Sequence, residues 1–308
     1  MAADLPLFYS PDYTLAAHGF DTTRKAGWVA DSLRDRPIAG VSLRPPVPLT
    51  AEQLAEVHDR EYGDAVRTGV PIHLAESQGF EWDPGLWQMV LASNGGAVAA
   101  ALAALQSGGA AGSLSSGLHH AKRDRGSGFC TFNGLALAAR AAQRAGAERI
   151  LVIDLDAHCG GGTHELLADD RGISQLDVAV NPFDYYEPAA DGWTLDLVND
   201  AADYLPRIAR RLGERSTERA TIDLVLYNAG MDPYEGCDIG GLAGISADML
   251  VQRERLVFDW SRAESVPVAF VLAGGYAKGE AAQAQLVELH RATIAAAVAV
   301  RASGGTRR

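Results

Sequence analysis

Short apolar runs alternate along this chain with longer stretches in which apolar residues recur every three or four positions. The short runs are Ile150–Ile153, Asp177–Val180, Ile222–Tyr227 and Val266–Leu272. Their apolar character is nearly continuous and rich in β-branched residues, which predicts buried parallel strands covered on both faces. Thr50 followed by Gln53 has the form of a capping box, starting a helix through Leu54 and Val57 toward Tyr62. An alanine-rich helix is predicted from Leu86 to Leu105, and others over Asn133–Ala145, Leu197–Leu212, Ala247–Trp260 and Ala281–Val300. Strands alternating with helices predict an α/β protein of three α/β/α layers around a mainly parallel central sheet. No internal repeat or low-complexity linker divides the sequence, so residues 1–308 are expected to form one domain, with a fraying tail over 302–308.

The segments just beyond the strands carry the chemistry. The first run leads into Asp154-Leu-Asp-Ala-His158, the third into Asn228-Ala-Gly-Met-Asp232 and the fourth into Ala273-Gly-Gly-Tyr276. Polar residues beyond the carboxyl ends of successive parallel strands mark the ligand crevice of such a sheet. Strand alternation sends Asp154, Asp156 and His158 to one face. Two carboxylates and an imidazole so placed repel and desolvate one another unless a cation lies among them. A polar strand end capped by solvent is the plain alternative.

A catalytic zinc takes three nitrogen or oxygen ligands and keeps one position open. Asp156, His158 and Asp232 supply that set, with Gly230 letting the backbone turn into the site; an ordinary turn aspartate before Pro233 is the competing reading of Asp232. The pair His119-His120 offers a general base and a second, positively charged imidazole. Tyr276, after two glycines, offers a phenolic O–H to a developing oxyanion. Metal, base and oxyanion donor together describe hydrolysis of an amide or ester. A two-metal site of the arginase type wants a further carboxylate two residues after the histidine, where this chain has Gly160, so one metal is favoured.

Composition narrows the partners. The chain has 39 acidic against 27 basic residues and a formal net charge of −12, which argues against non-specific binding to nucleic acid or anionic membrane. There is no basic stretch followed by an apolar one at the start, and no twenty-residue apolar span is evident. Three cysteines, Cys130, Cys159 and Cys237, are too few for a disulfide framework. The expectation is a cytoplasmic protein with neither nucleic-acid nor membrane partner.

These blocks resemble the histone deacetylase-like family of zinc-dependent amidohydrolases, which includes acetylpolyamine amidohydrolases and has the arginase–deacetylase fold. The resemblance runs from Phe8-Tyr-Ser-Pro-Asp-Tyr13 through Val57-His58 and Tyr62 to Gly274-Gly-Tyr276, over most of the chain. Its most specific blocks are Gly117-Leu-His-His-Ala-Lys122, Gly128-Phe-Cys-Thr-Phe-Asn133, Asp154-Leu-Asp-Ala-His158 and Asn228-Ala-Gly-Met-Asp232. The resemblance implies removal of an acyl group, above all acetyl, from an amine such as acetyl-lysine or an acetylpolyamine. Asp156, His158 and Asp232 would be the ligands of Zn2+, or of Fe2+, which suits the same donors. His119 and His120 would flank the attacking water, Asp154 would lie behind His119 with a structural K+ nearby, and Tyr276 would polarise the carbonyl. Gly128 and Phe129 would line the channel for a small-molecule or peptide acyl-amine. Asn133 is read as a helix cap.

Three positions depart from the family pattern. Cys159 stands where a second histidine is common, and alternation turns it away from the metal as a buried thiol. Gly161 stands where relatives carry the Asp or Asn that orients the second histidine, so His120 is expected to lack that partner and to be less basic. Asn181-Pro-Phe-Asp-Tyr-Tyr-Glu-Pro188 replaces the loop forming the other channel wall; Phe183, Tyr185 or Tyr186 would supply an aromatic wall or else pack beneath the rim. The reading of a different class is a metal-stabilised acyl-amine binding protein, its catalysis weakened or lost with the missing partner. His18, His58, His73, His164 and His290 are expected to be structural or solvated. Lys122, Arg123 and Arg125 form a solvated face or an active-site rim, and Glu235 and Asp238 solvate a loop or meet a cationic substrate.

Overall fold

The computed structural model describes residues 4–302 apart from positions 17, 189–190 and 218–220. Among the described residues the strands are β1 (Leu5–Phe8), β2 (Val41–Arg44), β3 (Ala110–Ser113), β4 (Ile150–Asp154), β5 (Ile173–Ala179), β6 (Trp193–Leu197), β7 (Leu224–Asn228) and β8 (Val268–Val271). They form one eight-stranded sheet in the order β2-β1-β3-β8-β7-β4-β5-β6, and every neighbouring pair is parallel. The helices are α1 (Asp21–Asp35), α2 (Ala51–Leu54), α3 (Arg60–Thr68), α4 (Ile72–Ala75), α5 (Leu86–Ser107), α6 (Gly134–Arg144), α7 (Gly161–Leu167), α8 (Ala201–Ser216), α9 (Ala247–Glu264) and α10 (Glu280–Ala302). The tail expected to fray lies, after Ala302, outside the described residues.

The sheet is buried on both sides because its strands alternate between two apolar layers. Leu151, Ile153, Val225, Tyr227, Val268 and Phe270 pack into one core together with Ile208, Leu250 and Ile294 of the helices. Ile150, Val152, Leu224, Leu226, Ala269 and Val271 enter the other, against Val90, Ala97, Leu135 and Ala139. These are the three layers that the strand–helix alternation predicts. β7 and β8 come last among the strands in sequence but sit between β3 and β4, so the loops after β3, β4, β7 and β8 converge on one carboxyl edge.

Local signals place several helix starts. The Thr50–Gln53 capping box is formed at α2. Asn133 caps α6 by accepting from the Ala136 amide at 2.9 Å. The helix expected to run on toward Tyr62 is instead two. The Asp59 amide donates to the Arg123 carbonyl at 2.8 Å, and His58 donates from Nδ1 to the Lys122 carbonyl while its Nε2 accepts from the Asn133 amide. Those tertiary bonds interrupt the helix between α2 and α3. The segment expected to be helical from Leu197 starts later, because Trp193–Leu197 pairs with β5 and Asp200 caps α8 by accepting from the Ala202 amide. Contrary to the expectation of no long apolar span, α5 is a 22-residue helix with mean hydropathy 1.4 over its most apolar 18-residue window, long and apolar enough by composition to cross a membrane. More than half of that window is buried in the protein, against α6 and the sheet.

Candidate metal centre and active site

The run after β4 leaves the strand, bends at Asp156 and Ala157, and is held by a parallel bridge between His158 and Asn181. Asp154, Asp156 and His158 meet because the Asp156 amide donates to Asp154 Oδ1 at 3.2 Å and the His158 amide to Asp156 Oδ1 at 3.1 Å; Leu155, Ala157 and Cys159 between them are buried. The loop after β7 brings in Asp232. His158 Nδ1 lies 3.1 Å from Asp156 Oδ1 and 3.2 Å from Asp232 Oδ2. One donor atom from each residue falls within 4.8 Å of the others, and all three side chains are buried. Gly230 serves by lacking a side chain: a Cβ there would lie 2.5 Å from Asp156 Cα, so the segments carrying Asp156 and Asp232 approach as they do only over glycine.

This donor set fits a divalent cation. Asp232 Oδ1 accepts from the Ala157 amide at 2.9 Å, but its buried Oδ2 faces the cluster, 3.2 Å from His158 Nδ1 and without a well-aligned donor. Such an orphaned carboxylate oxygen is costly unless a charge answers it. Burial works against ionising Asp156, yet His119 and His158 hold it below the usual carboxylate range; burial and the neighbouring Asp156 raise Asp232. Burial likewise opposes a charge on His158, but the carboxylates of Asp156 and Asp232 outweigh it and raise the imidazole to about 10. The same pair of carboxylates that raises the imidazole calls for positive charge at this point. Two carboxylate oxygens and one imidazole suit a borderline ion such as Zn2+ or Fe2+.

The tandem histidines enter on the loop after β3. Their rings lie 3.9 Å apart at 40°. His119 donates from Nδ1 to Asp154 Oδ2 at 2.8 Å, and its Nε2 is 3.5 Å from Asp156 Oδ1. Asp154 also accepts from Asn228 Nδ2 at 2.8 Å and from the Asp156 amide, so it is fixed from three sides. Burial opposes a charge on His119, but Asp154 and Asp156 prevail and raise it to about 10. His120 is lowered to about 4 by burial and by His119 beside it. The two imidazoles are thus pushed apart, as acid and base partners are.

The expectation that His120 lacks a carboxylate partner is corrected by the structure. Its Nδ1 donates to Asp184 Oδ2 at 3.0 Å. Asp184 comes from the loop after β5 and also receives Lys122 Nζ on Oδ1 at 2.6 Å. Lys122 therefore reaches the edge of the site, whereas Arg123 Nη1 turns to the Val57 carbonyl and Arg125 pairs with Asp124. The signal for Asp184 was present in Asn181-Pro-Phe-Asp184, a turn sequence ending in a carboxylate, but strand alternation gives no way to place a loop residue.

Aromatic residues surround the mouth. Phe129 lies 5.3 Å from Phe80 and 4.6 Å from Phe20 between ring centroids, and Phe20 is 5.5 Å from Tyr276. Opposite, Phe183 stands edge-on to His120 at 4.9 Å and to His158 at 6.0 Å, and Gly128 lies against both His120 and Phe183. Of the three aromatics proposed for this wall, only Phe183 joins it. Tyr185 is exposed and donates to Glu187, while Tyr186 is buried beneath, its hydroxyl receiving Gln175 Nε2 and its ring stacked on His164. Burial and the charges of Asp232 and Asp156 raise Tyr276, keeping its phenol protonated. Its loop is held by Lys25, a buried residue unmarked by any sequence pattern, whose Nζ donates to the Gly274 carbonyl at 2.5 Å. The Cys159 thiol is buried, 3.5 Å from the Asn181 carbonyl. Glu235 accepts from the Gly244 amide and Asp238 pairs with Lys278, so both are engaged in loop structure.

Comparison with known proteins agrees with this geometry. Residues 18–292 match the model of the histone deacetylase domain. An uncharacterised protein of Picosynechococcus sp. is 34% identical over 280 residues, covering 89% of this chain and 92% of that one. Histone deacetylase 2 of Arabidopsis thaliana is 34% identical over 193 residues, 61% of this chain and 49% of that one. Among solved structures, acetylpolyamine aminohydrolase from Burkholderia pseudomallei superposes with a TM-score of 0.78 at 20% identity, covering 96% of this chain and 99% of that one. That last likeness concerns the fold, which is the arginase–deacetylase fold.

Proposed function

The chain belongs to the histone deacetylase family, and from that premise we propose that it hydrolyses an N-acyl amide, above all by removing acetyl from an acetyl-lysine side chain or an acetylpolyamine. The observation that carries this reading is the convergence of Asp156, His158 and Asp232 with two adjoining histidines in one buried cluster at the carboxyl edge of the sheet. Asp156, His158 and Asp232 would hold Zn2+ or Fe2+, whose Lewis acidity would polarise the acyl carbonyl and acidify water.

The chain's own residues account for the remaining work. Phe129 and Phe183 flank the entrance and exclude water from the acyl group. His120, at the inner end of that passage, takes the proton of the attacking water on the nitrogen not bonded to Asp184. His119, held by Asp154, keeps a positive charge beside the reacting centre, and the histidine pair returns a proton to the departing amine. The Tyr276 phenol donates to the oxygen on which negative charge develops.

The test is a panel of acetyl-lysine peptides, acetylpolyamines and small amides with purified, Zn2+-loaded protein. Turnover that falls by at least a hundredfold in His120→Ala and in Tyr276→Phe supports the enzyme. Saturable binding of these compounds without turnover would replace it by the binding-protein reading.

A further inference from the structure

We infer that Asp184 is the positioning residue of His120, and that Gly161 is glycine because Asp184, with its backbone carbonyl and its carboxylate, occupies the space a side chain at 161 would fill. The inference rests on the reading of His120 as the base. Four observations converge on it. A Cβ built on Gly161 would lie 2.6 Å from Asp184 Oδ1 and 2.7 Å from its Cγ, and would also strike its backbone carbonyl. The Asp184 carboxylate thus enters from across the site into the volume beside residue 161. Each of its oxygens is engaged: Oδ2 accepts from His120 Nδ1 at 3.0 Å and from the Gly162 amide at 3.0 Å, and Oδ1 accepts from Lys122 Nζ at 2.6 Å.

The backbone is bent to deliver it. Asp184 has φ 59°, a left-handed conformation that aspartate tolerates better than most residues. The turn is set by the Phe183 amide on Asn181 Oδ1 at 2.9 Å and the Tyr185 amide on the Pro182 carbonyl at 3.1 Å. The Cys159 amide, next to His158, donates to the Phe183 carbonyl at 3.0 Å. One loop therefore carries both the aromatic wall and the carboxylate that fixes the tautomer and direction of His120. A carboxylate so placed directs the imidazole proton to Nδ1 and leaves Nε2 to accept.

Three single variants, one double variant and two readouts test this. Asp184→Ala should lower kcat about 10–100-fold with KM changed less than about threefold. Asp184→Asn keeps the side chain's shape and carries the kinetic comparison if the alanine variant unfolds; about a tenfold loss of kcat is expected. Gly161→Ala should reproduce the kcat loss by displacing Asp184, and the double variant should lose less than the sum of the two single losses, because both disturb the same His120–Asp184 contact. In histidine-selective 15N spectra, metal-loaded wild type should show a slowly exchanging His120 Nδ1–H, absent from Asp184→Ala and Gly161→Ala at unchanged metal content. This arm needs no substrate, so it decides the inference even if no acyl amide is turned over and the proposed function fails. A retained Nδ1–H in folded Asp184→Ala, kcat of that variant within threefold of wild type, or fully additive losses in the double variant would each overturn it.

Discussion

Arg253 offers the sharpest test of how the ligand loops are held. The side chain is fully buried on α9 and its guanidinium joins both of them. Nη1 donates to the Leu155 carbonyl at 3.0 Å and to the Gly230 carbonyl at 2.6 Å, one residue before Asp156 and two before Asp232. Nε and Nη2 donate to Glu254 Oε1 at 2.8 and 2.6 Å, and Tyr227 donates to the same oxygen at 2.8 Å. Arg253→Met keeps much of the volume but strands a buried carboxylate, at about 3–5 kcal/mol. Each carbonyl left without a donor adds about 1–3 kcal/mol. These contributions overlap, and a loss of about 5 kcal/mol is the expected scale. In a protein of this size about 2 °C accompanies each kcal/mol, so Tm should fall by about 10 °C in scanning calorimetry.

Two companions separate charge from geometry. Arg253→Lys keeps the charge, but one ammonium cannot span two carbonyls and a glutamate, so most of the loss should persist. Arg253→Met with Glu254→Met removes the stranded charge and should recover about half of it. Chelator competition should show Zn2+ bound at least tenfold more weakly by Arg253→Met, because both ligand loops lose their anchor. A Tm within 3 °C of wild type, or a double variant no better than Arg253→Met, would refute the reasoning.

Other expectations come from the same geometry. Removing metal with a chelator should lower Tm by several degrees, since ligand at a hundred times its Kd contributes about 2.7 kcal/mol; Zn2+ should restore it in wild type but not in Asp156→Asn, and an unchanged Tm would contradict the metal assignment. Phe183→Ala should raise KM for acyl-amine substrates at least fivefold, while Tyr185→Ala, outside the channel wall, should stay within twofold; equal effects would reject this wall. Asp196 is opposed by burial but held below its ordinary value by Arg211 and Arg207, 2.6 and 2.8 Å away. Its folded pKa is depressed, so its contribution is present above the unfolded value of about 3.9 and is lost as pH falls through the folded one. Asp196→Asn should therefore be less stable at pH 7 and lose less on acidification, measured as Tm against pH.

The parts of the fold legible in the sequence are those where one local pattern decides the structure. β4 and β7 are runs of β-branched and aliphatic residues because both their faces are covered, and no helix periodicity competes. β3 is Ala-Ala-Gly-Ser, with no β-branched residue. It is a strand because β1 and β8 pair with it on either side, and its Gly112 makes room for the ring of Phe270 on the neighbouring strand. β1 contains Pro6, which a propensity argument removes from a sheet interior. The break between α2 and α3 is another tertiary outcome, imposed by backbone and histidine bonds from a distant loop.

The candidate site divides along the same line. Asp154, Asp156 and His158 could be assigned to one site because alternation is a rule about neighbours, and beyond the strand end turns that bond the Asp156 and His158 amides to the carboxylates two residues back bring the same three side chains together. The partner of His120 could not, because the residue that supplies it lies 64 positions away in sequence and reaches the histidine across the site. Gly161 read alone signifies a missing carboxylate; Gly161 beside Asp184 signifies that the space is taken. The same glycine supports opposite conclusions about the base, and only the packing of the opposing loop separates them. A residue type absent from an expected position is thus evidence of lost chemistry only after the neighbouring side chains have been placed. Here the place is filled by a carboxylate on the loop that also carries Phe183, so the orientation of His120 and the shape of the channel wall cannot vary independently.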